Sequence, residues 1–230
     1  MIIDGFSKLT LLDYPENVAC IIWTRGCNFR CPFCQNSELI KMTKDEGNIK
    51  EEDVLSYLEK RKGILDGIVI SGGEPTMQKG LYEFIKKVKT IGLKVKLDTN
   101  GFNPKVLKKL IDDNLLDYVA VDIKNDLDHY DKICGLNKIT LDNLLETIKI
   151  LENSHILYEF RTTVMKNYHN EQRIENILSL IGKNANYYLQ NFKDSEYVLD
   201  KTLESFSNDE LMHIYNDLKL KYPNIGIRGI

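Results

Sequence analysis

Three cysteines in one short run are the residues of this chain best suited to chemistry. Cys27, Cys31 and Cys34 lie in the segment TRGCNFRCPFCQN, with the spacing Cys-x-x-x-Cys-x-x-Cys. Thiolates this close together can hold an iron–sulfur cluster, and a cubane cluster usually takes about four cysteines. Three cysteines leave one iron without a protein ligand, and an open metal position is where a further ligand can bind and react.

Zinc is the alternative metal for these thiolates. A structural zinc site takes about four ligands, often arranged as Cys-x-x-Cys pairs. His129, His155 and His169 could each add a fourth ligand, but none has a zinc-finger spacing from the cysteines. The spacing therefore favours a cluster. The remaining cysteines, Cys20 and Cys134, are too few for a second cubane and are interpreted as structural thiols.

The composition is that of an ordinary globular protein and argues against several classes of function. Of 230 residues, 43% are hydrophobic and 28% are charged, and the formal net charge is −3. That charge gives no basic field to attract nucleic acid or anionic lipid. The longest apolar run, 18–23, is too short to span a bilayer, and residues 1–16 lack the basic start of a signal peptide. Clustered cysteines without a disulfide framework indicate a reduced, cytoplasmic, metal-binding protein. The charge and the short apolar runs predict that neither nucleic acid nor a membrane is a partner.

Short apolar runs alternate with helical patterns along almost the whole chain. Strands are predicted at 18–24, 67–71, 93–99, 118–123, 156–164 and 187–190, with a last short strand in 225–230. The continuously apolar runs are typical of parallel strands that are buried on both faces. Between them, apolar residues at helical spacing predict helices with three stripes: Leu81, Phe84, Ile85 and Val88; Leu141, Leu144, Leu145 and Ile148; Ile174, Ile177, Leu178 and Ile181.

Two local patterns predict where further helices begin. Asn103 is expected to cap a helix that starts at Pro104, and Ser207 with Glu210 forms a capping-box pattern. The alternation of strands and helices predicts a single parallel α/β domain over 1–230. Periodicity alone leaves two architectures open, a doubly wound open sheet and a barrel.

Polar and charged residues end or follow the predicted strands, where α/β barrels build their active sites. They are Gly72, Gly73 and Glu74 after the second strand, Asp98 and Asn100 at the third, Asp122 and Lys124 at the fourth, Arg161 in the fifth and Gln190 at the sixth. Adjacent glycines let the backbone approach a ligand, and a carboxylate can bind an ammonium group. A charge inside an apolar strand, as at Asp98, needs a partner or a cation. Arg161 can bind a carboxylate bidentately or pair with Glu159.

The runs TRGCNFRCPFCQN, SGGEP, LDTNG, VAVDIK, YEFRTTV and YLQNF together resemble the radical S-adenosylmethionine (SAM) family, and within it the enzymes that activate glycyl-radical enzymes. The resemblance implies a partial (β/α)6 TIM-like barrel over 16–230, open on one side and preceded by 1–15. It also implies a [4Fe–4S] cluster on the three cysteines, with SAM on the fourth iron. In the family, reductive cleavage of SAM gives a 5′-deoxyadenosyl radical that removes a glycine Cα hydrogen from a partner enzyme. The electron would come from a flavodoxin-type or ferredoxin-type donor, and no acid–base residue is required.

The resemblance assigns roles to the strand-end residues. Gly73 and Glu74 belong to the motif that holds the amino group of SAM, and Lys124 reaches SAM. Asp98 and Asp122 would lie near the SAM carboxylate. Because two acidic groups would repel that carboxylate, a monovalent cation or Lys124 is expected between them. The other residues assigned to the SAM site are Phe33, Gln35, Gly72, Asn100, Arg161 and Gln190, the last standing where the pyruvate formate-lyase activase has a histidine.

Several functions stay open at this point. The chain looks closest to the activating proteins of anaerobic ribonucleoside-triphosphate reductase. The alternatives are an activase of pyruvate formate-lyase or of another glycyl-radical enzyme, a radical SAM enzyme acting on a small molecule such as a modified-nucleobase precursor, and a metal-binding barrel without enzymatic activity. The run SKLTLLDYP is not explained by SAM chemistry.

Overall fold

Strands and helices alternate in the order that the sequence predicts. The structure, a computed structural model, describes residues 1–41, 47–136 and 139–230. Within these ranges the strands are β1 Ile3–Thr10, β2 Ala19–Thr24, β3 Gly67–Gly72, β4 Lys94–Thr99, β5 Tyr118–Asp122, β6 Leu157–Val164, β7 Tyr187–Asn191 and β8 Ile225–Arg228. The helices are α1 Glu51–Lys60, α2 Leu81–Ile91, α3 Pro104–Asp112, α4 Tyr130–Cys134, α5 Asp142–Glu152, α6 Glu171–Ile181 and α7 Asn208–Lys219.

The strands form one sheet in which the spatial order follows the chain order, from β1 to β8. β1 pairs antiparallel with β2, while β2, β3 and β4 are parallel neighbours, as are β6, β7 and β8. The order starts and ends with different strands, so the sheet is open, and the predicted α/β fold with an open sheet is confirmed. The six main predicted strands are found within about one residue at each end, as continuous apolar runs allow.

Segment 1–15, expected only to precede the barrel, contributes β1 to this sheet. Phe6 pairs with Ile22, and Ser7 pairs with Ile21. The pattern IDGFSKLT has no apolar alternation strong enough to announce a strand. Pairing with the buried strand β2 determines its conformation.

The contacts within the chain divide it into two compact units. The sequence predicted a single domain and gave no sign of this division. Unit 1 consists of Met1–Asn28, Glu38–Ala120 and Asn143–Leu157, and unit 2 consists of Phe29–Ser37, Val121–Asp142 and Tyr158–Ile230. In unit 1 the strand residues of β2 and β3 are mostly buried on both faces, and the predicted stripe of α2 is fully buried. In unit 2 the predicted stripe of α6 is buried, and the capping box at Ser207 and Glu210 is present.

Two local predictions in unit 1 are met only in part. In α5, Leu144 and Ile148 are buried as predicted, but Leu145 is 38% exposed, and the buried face instead includes Thr147, whose hydroxyl donates to Gly101 O at 2.7 Å. A hydrogen bond to a backbone carbonyl lets a threonine replace a leucine at a buried position. Helix α3 begins at Pro104 with Asn103 at its N-cap position, as predicted, but the Asn103 side chain makes no capping hydrogen bond, and its amide nitrogen donates to Thr76 Oγ1 at 2.9 Å.

In the described part of the chain, no helix combines the length and apolar character that crossing a membrane would require.

Candidate active site

The three cysteines follow β2, and backbone hydrogen bonds hold the segments around them. In unit 1, Cys27 N donates to Ile40 O at 3.1 Å. In unit 2, Cys34 N donates to Cys31 O at 3.1 Å, which closes a turn between these two cysteines. All three are reduced thiols and can therefore become thiolate ligands.

The glycine pair after β3 lies against the backbone that leads into Cys27. Gly73 N donates to Thr24 O at 2.8 Å, and Glu74 N donates to Gly26 O at 2.7 Å. A Cβ on Gly73 would lie 2.3 Å from Gly26 O, and one on Gly72 would lie 2.3 Å from Thr24 N. Both positions therefore require glycine for a reason inside the protein, in addition to the ligand approach inferred from the sequence.

Glu74 is fully buried and ties together the loops that follow β3 and β4. Its Oε1 accepts hydrogen bonds from Thr76 N at 3.0 Å, Thr76 Oγ1 at 2.5 Å and Thr99 Oγ1 at 2.7 Å, and its Oε2 accepts one from Asn100 N at 2.7 Å. Burial raises the pKa of Glu74, and these hydrogen bonds oppose the rise. The amide of Asn100 also donates to Asn28 Oδ1 at 2.7 Å, beside the first cysteine. A carboxylate with four donors has used most of its acceptor capacity, so its contact with the amino group of SAM stays a prediction.

Asp98 is paired with a lysine that sequence reasoning missed. Lys96 Nζ lies 2.5 Å from Asp98 Oδ1, and Lys96 is only 1% exposed. The two side chains share one face of β4, because they are two residues apart in a strand. An interior lysine two positions before an interior aspartate was the available signal. The partner that a buried Asp98 needs is therefore present within the chain.

In unit 2, Asp122 lies between two cations. Arg161 Nε donates to Asp122 Oδ1 at 2.9 Å, and Lys124 Nζ lies 3.2 Å from Asp122 Oδ2. Burial favours a raised pKa at Asp122, but Arg161 and Lys124 outweigh it and hold the pKa at about 2. The pairing of Arg161 with Glu159, one of the two possibilities considered from the sequence, is present but long, with 4.0 Å between charged atoms, while Arg228 donates to both oxygens of Glu159.

These pairings leave the expected monovalent cation unsupported. Asp98 is neutralised by Lys96, and Asp122 is neutralised by Lys124 and Arg161. The other half of that expectation, a lysine beside Asp122, agrees with the geometry. Local sequence could not show which of the two would occur.

Lys124 also lies near the second cysteine. Its Nζ is 5.6 Å from the centre of the Phe33 ring, and Phe33 is buried. The pKa of Cys31 is lowered, first by a hydrogen bond with Cys134 and then by the charge of Lys124, against the opposing effect of burial. Cys134 is fully buried, and its carbonyl accepts from Arg30 N at 2.8 Å. Cys134 is thus structural, as predicted, but it lies beside a proposed cluster ligand.

His169, considered from the sequence as a possible fourth zinc ligand, is a buried support for Lys124. Its Nε2 lies 3.0 Å from Lys124 O, and Met165 N donates to its Nδ1 at 3.3 Å. These partners assign the proton to Nε2, because a carbonyl can only accept. Burial lowers the pKa of His169 to about 4. Lys124 N donates to the hydroxyl of Tyr130 at 3.1 Å, so both backbone polar groups of Lys124 are held.

The two glutamines of the predicted site take different positions in unit 2. Gln35 is exposed, and its amide donates to Lys193 O at 2.9 Å. Gln190 is half-buried on β7, in register with Arg228 of β8. Contact of Gln35 with adenine and of Gln190 with SAM stay predictions.

The donor set fits a cubane cluster. Within the described ranges, no three His, Cys, Asp or Glu side chains converge on one metal position. Cubane ligands need no such convergence, because each cysteine binds a different iron. The three cysteines are reduced thiols. A hydrogen bond with Cys134 and the charge of Lys124 lower the pKa of Cys31, whereas burial raises the pKa of Cys34. Each thiol can lose its proton on binding iron.

A large cavity of unit 1 lies away from these residues. It has a volume of roughly 1230 Å³ and is lined by residues where strands begin, such as Lys94 of β4 and Asp117 before β5. Barrel enzymes place their chemistry at the opposite, carboxyl ends of the strands. The cavity is therefore not assigned to the candidate site.

Comparison with known proteins places these features in a family context. The family model of the radical SAM superfamily matches residues 21–181. A protein of Methanocaldococcus jannaschii, provisionally named a glycyl-radical enzyme activating enzyme, is 32% identical over 100% of this chain and 96% of its own length. A GTP 3′,8-cyclase of Helicobacter pylori strain J99 is 31% identical over 76% of this chain, but this covers 53% of the cyclase. The chain thus spans about half the length of that cyclase.

Solved structures share the fold at low sequence identity. SuiB of Streptococcus suis, bound to SAM, has a TM-score of 0.72 at 14% identity, covering 91% of this chain and 50% of SuiB. QueE of Escherichia coli has a TM-score of 0.60 at 15% identity, covering 99% of this chain and 93% of QueE. These likenesses concern the fold alone, and they confirm the predicted partial α/β barrel.

Proposed function

The chain belongs to the radical SAM superfamily, and from this premise we propose that it activates a glycyl-radical enzyme. The observation that carries the proposal is the 32% identity to the Methanocaldococcus jannaschii protein that is provisionally named an activating enzyme, which extends over 96% of that protein. The family implies a [4Fe–4S] cluster and SAM. When bound, they supply the 5′-deoxyadenosyl radical that takes the glycine hydrogen of the partner.

The side chains of this protein would bind the cluster and position SAM. Cys27, Cys31 and Cys34 would hold the cluster through their thiolates. Lys124 and Arg161 offer two cations to the carboxylate of SAM, and Asp122 fixes both of them within 3.2 Å of its own oxygens. A preorganised pair of cations loses little freedom when an anion binds.

The loop of Gly73 and Glu74 is assigned to the amino group of SAM. Four hydrogen bonds to the Glu74 carboxylate hold the loop in place. In this proposal the loop offers backbone groups to the ligand, while the side chain of Glu74 keeps them in position. Phe33, which is buried beside Lys124, excludes water from the same charges.

The partner of this activity is proposed to be an anaerobic ribonucleoside-triphosphate reductase. The motif set supports this choice. The two cysteines beyond the cluster are too few for a second cubane, which fits this partner and pyruvate formate-lyase alike. A flavodoxin-type or ferredoxin-type donor would reduce the cluster, and the reduced thiols fit a cytoplasmic location. Pyruvate formate-lyase is the alternative partner.

A small-molecule substrate is the second candidate function. The 31% identity to a GTP 3′,8-cyclase favours it, although the match leaves about half of that enzyme uncovered. On this alternative the chain would consume SAM with a nucleotide rather than with a protein.

One experiment separates the two candidates. The protein is reconstituted without oxygen, reduced and incubated with SAM. One of three candidate substrates is added: an anaerobic ribonucleoside-triphosphate reductase, a pyruvate formate-lyase or GTP. A glycyl radical is then sought by electron paramagnetic resonance. We expect a glycyl doublet with the reductase. Cys31→Ala should abolish the doublet, whereas Cys20→Ala, which changes a buried thiol of β2, should retain it. A product from GTP without any protein radical would overturn the proposal.

A further inference from the structure

Five charged side chains of unit 2 form a continuous row that begins at the last strand. In order they are Arg228, Glu159, Arg161, Asp122 and Lys124. Arg228 donates to Glu159 at 2.8 and 2.7 Å, and Arg161 Nη1 lies 4.0 Å from Glu159 Oε1. Arg161 Nε then donates to Asp122 at 2.9 Å, and Lys124 Nζ follows at 3.2 Å. The row therefore links β8 to the cations that are proposed to bind SAM.

Glu159, the second residue of this row, has no exposed surface. A carboxylate buried to this extent needs a cation, and both Arg161 and Arg228 lie within reach. Arg228 has the better geometry, because its fork occupies both oxygens of Glu159. The guanidinium of Arg228 also lies 3.8 Å from the centre of the Tyr188 ring, which holds it flat in place.

Arg161 directs its Nε edge to Asp122, while Arg228 binds Glu159. The row contains three cations and two carboxylates, so it carries one net positive charge. An anionic ligand group is the complement that such a row recognises. Arg228 lies beyond residues 21–181, the part of the chain that matches the family model.

We propose that Arg228 is a positioning residue for SAM: by holding Glu159 it keeps Arg161 beside Asp122 and Lys124, where the cations bind the carboxylate of SAM. The inference rests on the proposed function, since it takes SAM as the ligand. The proposal gives β8, the last strand, a role in the affinity for SAM. Without Arg228, Glu159 would recruit Arg161 and draw it away from Asp122.

The test measures SAM binding by calorimetry on the anoxically reconstituted full chain, with thermal unfolding recorded in parallel. Arg228→Gln should weaken SAM binding about 10-fold, as expected for one displaced charge-assisted contact. The double variant Arg228→Gln with Glu159→Gln removes the competing carboxylate, so its affinity should return to within about threefold of the native protein. Lys221→Gln, which breaks an exposed pair with Glu175, is the charge-matched control and should bind SAM normally.

A purely structural role for Arg228 predicts a different pattern. The double variant would then bind SAM no better than Arg228→Gln, and this result would overturn the proposal, as would native affinity in Arg228→Gln. If Arg228→Gln does not fold, Arg228→Lys keeps a cation without the fork. It should bind SAM several-fold more weakly, and unchanged affinity would count against the proposal.

The two proposals can fail separately. Normal SAM binding by the native chain without a glycyl radical on any partner would overturn the activase function and leave the affinity series interpretable. A native chain that binds no SAM would overturn both.

Discussion

The buried His169 should make the stability of the protein depend on pH. Its pKa falls from the usual 6.5 to about 4 because the ring is buried. Between these values the unfolded chain binds a proton at this position that the folded chain does not. The free energy of unfolding therefore rises with pH through this window. The contribution is fully present above pH 6.5 and is lost as the pH falls towards 4.

The size of the effect follows from the same two values. The full pKa difference corresponds to roughly 3 kcal/mol well below pH 4, and about 2 kcal/mol of this is already lost at pH 5. At pH 7.5 almost none is lost. Comparison of pH 7.5 with pH 5 therefore captures most of the measurable change.

The assay is urea unfolding of the native protein and of His169→Gln at both pH values. Glutamine can still donate to Lys124 O but does not titrate, so the variant lacks the His169 contribution to pH dependence. At pH 7.5 the variant should be less stable by about 1–2 kcal/mol, through lost packing and the lost hydrogen bond from Met165 N. At pH 5 the difference should change by about 2 kcal/mol in favour of the variant, which then becomes as stable as the native protein or up to about 1 kcal/mol more stable. A deficit that stays constant between the two pH values would refute the reasoning.

Three other changes test the loops of unit 1. Gly73→Ala places a Cβ 2.3 Å from Gly26 O, so we expect a loss of about 1–3 kcal/mol in unfolding free energy, measured by urea denaturation; native stability would contradict the close approach. Glu74→Gln turns one acceptor of the buried carboxylate into a donor, and we expect about 1–3 kcal/mol of destabilisation in urea denaturation. An unchanged unfolding transition would argue against these hydrogen bonds to Glu74. Lys96→Met leaves Asp98 buried without its lysine and should lower the melting temperature, whereas Lys96→Met with Asp98→Asn should recover most of the loss. Equal melting temperatures for the single and double variants would show that the pair is not coupled.

The sequence predicted the elements well because their determinants are local. Parallel strands buried on both faces are continuous apolar runs, so their bounds were found almost to the residue. The cysteine spacing and the strand-end motifs are likewise contiguous in sequence. Strand β1 was not predicted, because its apolar pattern is weak and its conformation depends on pairing with β2.

The partners of the charged residues could not be predicted in the same way. Arg228 is 69 residues from Glu159, and only the register of β8 brings them together. Glu159 is bound by the guanidinium of Arg228 with better geometry than by Arg161, which the sequence offered as its partner. Asp98 is paired with Lys96 rather than with the cation considered from the sequence. Such choices depend on which of several cations reaches a buried carboxylate with the best geometry.

The two hydrogen bonds from Gly73 N and Glu74 N to Thr24 O and Gly26 O have a kinetic consequence. These hydrogen bonds join the segment entering Cys27 to the loop assigned to SAM. Neither segment can therefore open by local unfolding without releasing the other. The amide protons of Gly73 and Glu74 should exchange with solvent at a common rate. On exposure to air, loss of iron and loss of SAM affinity should follow a single time course.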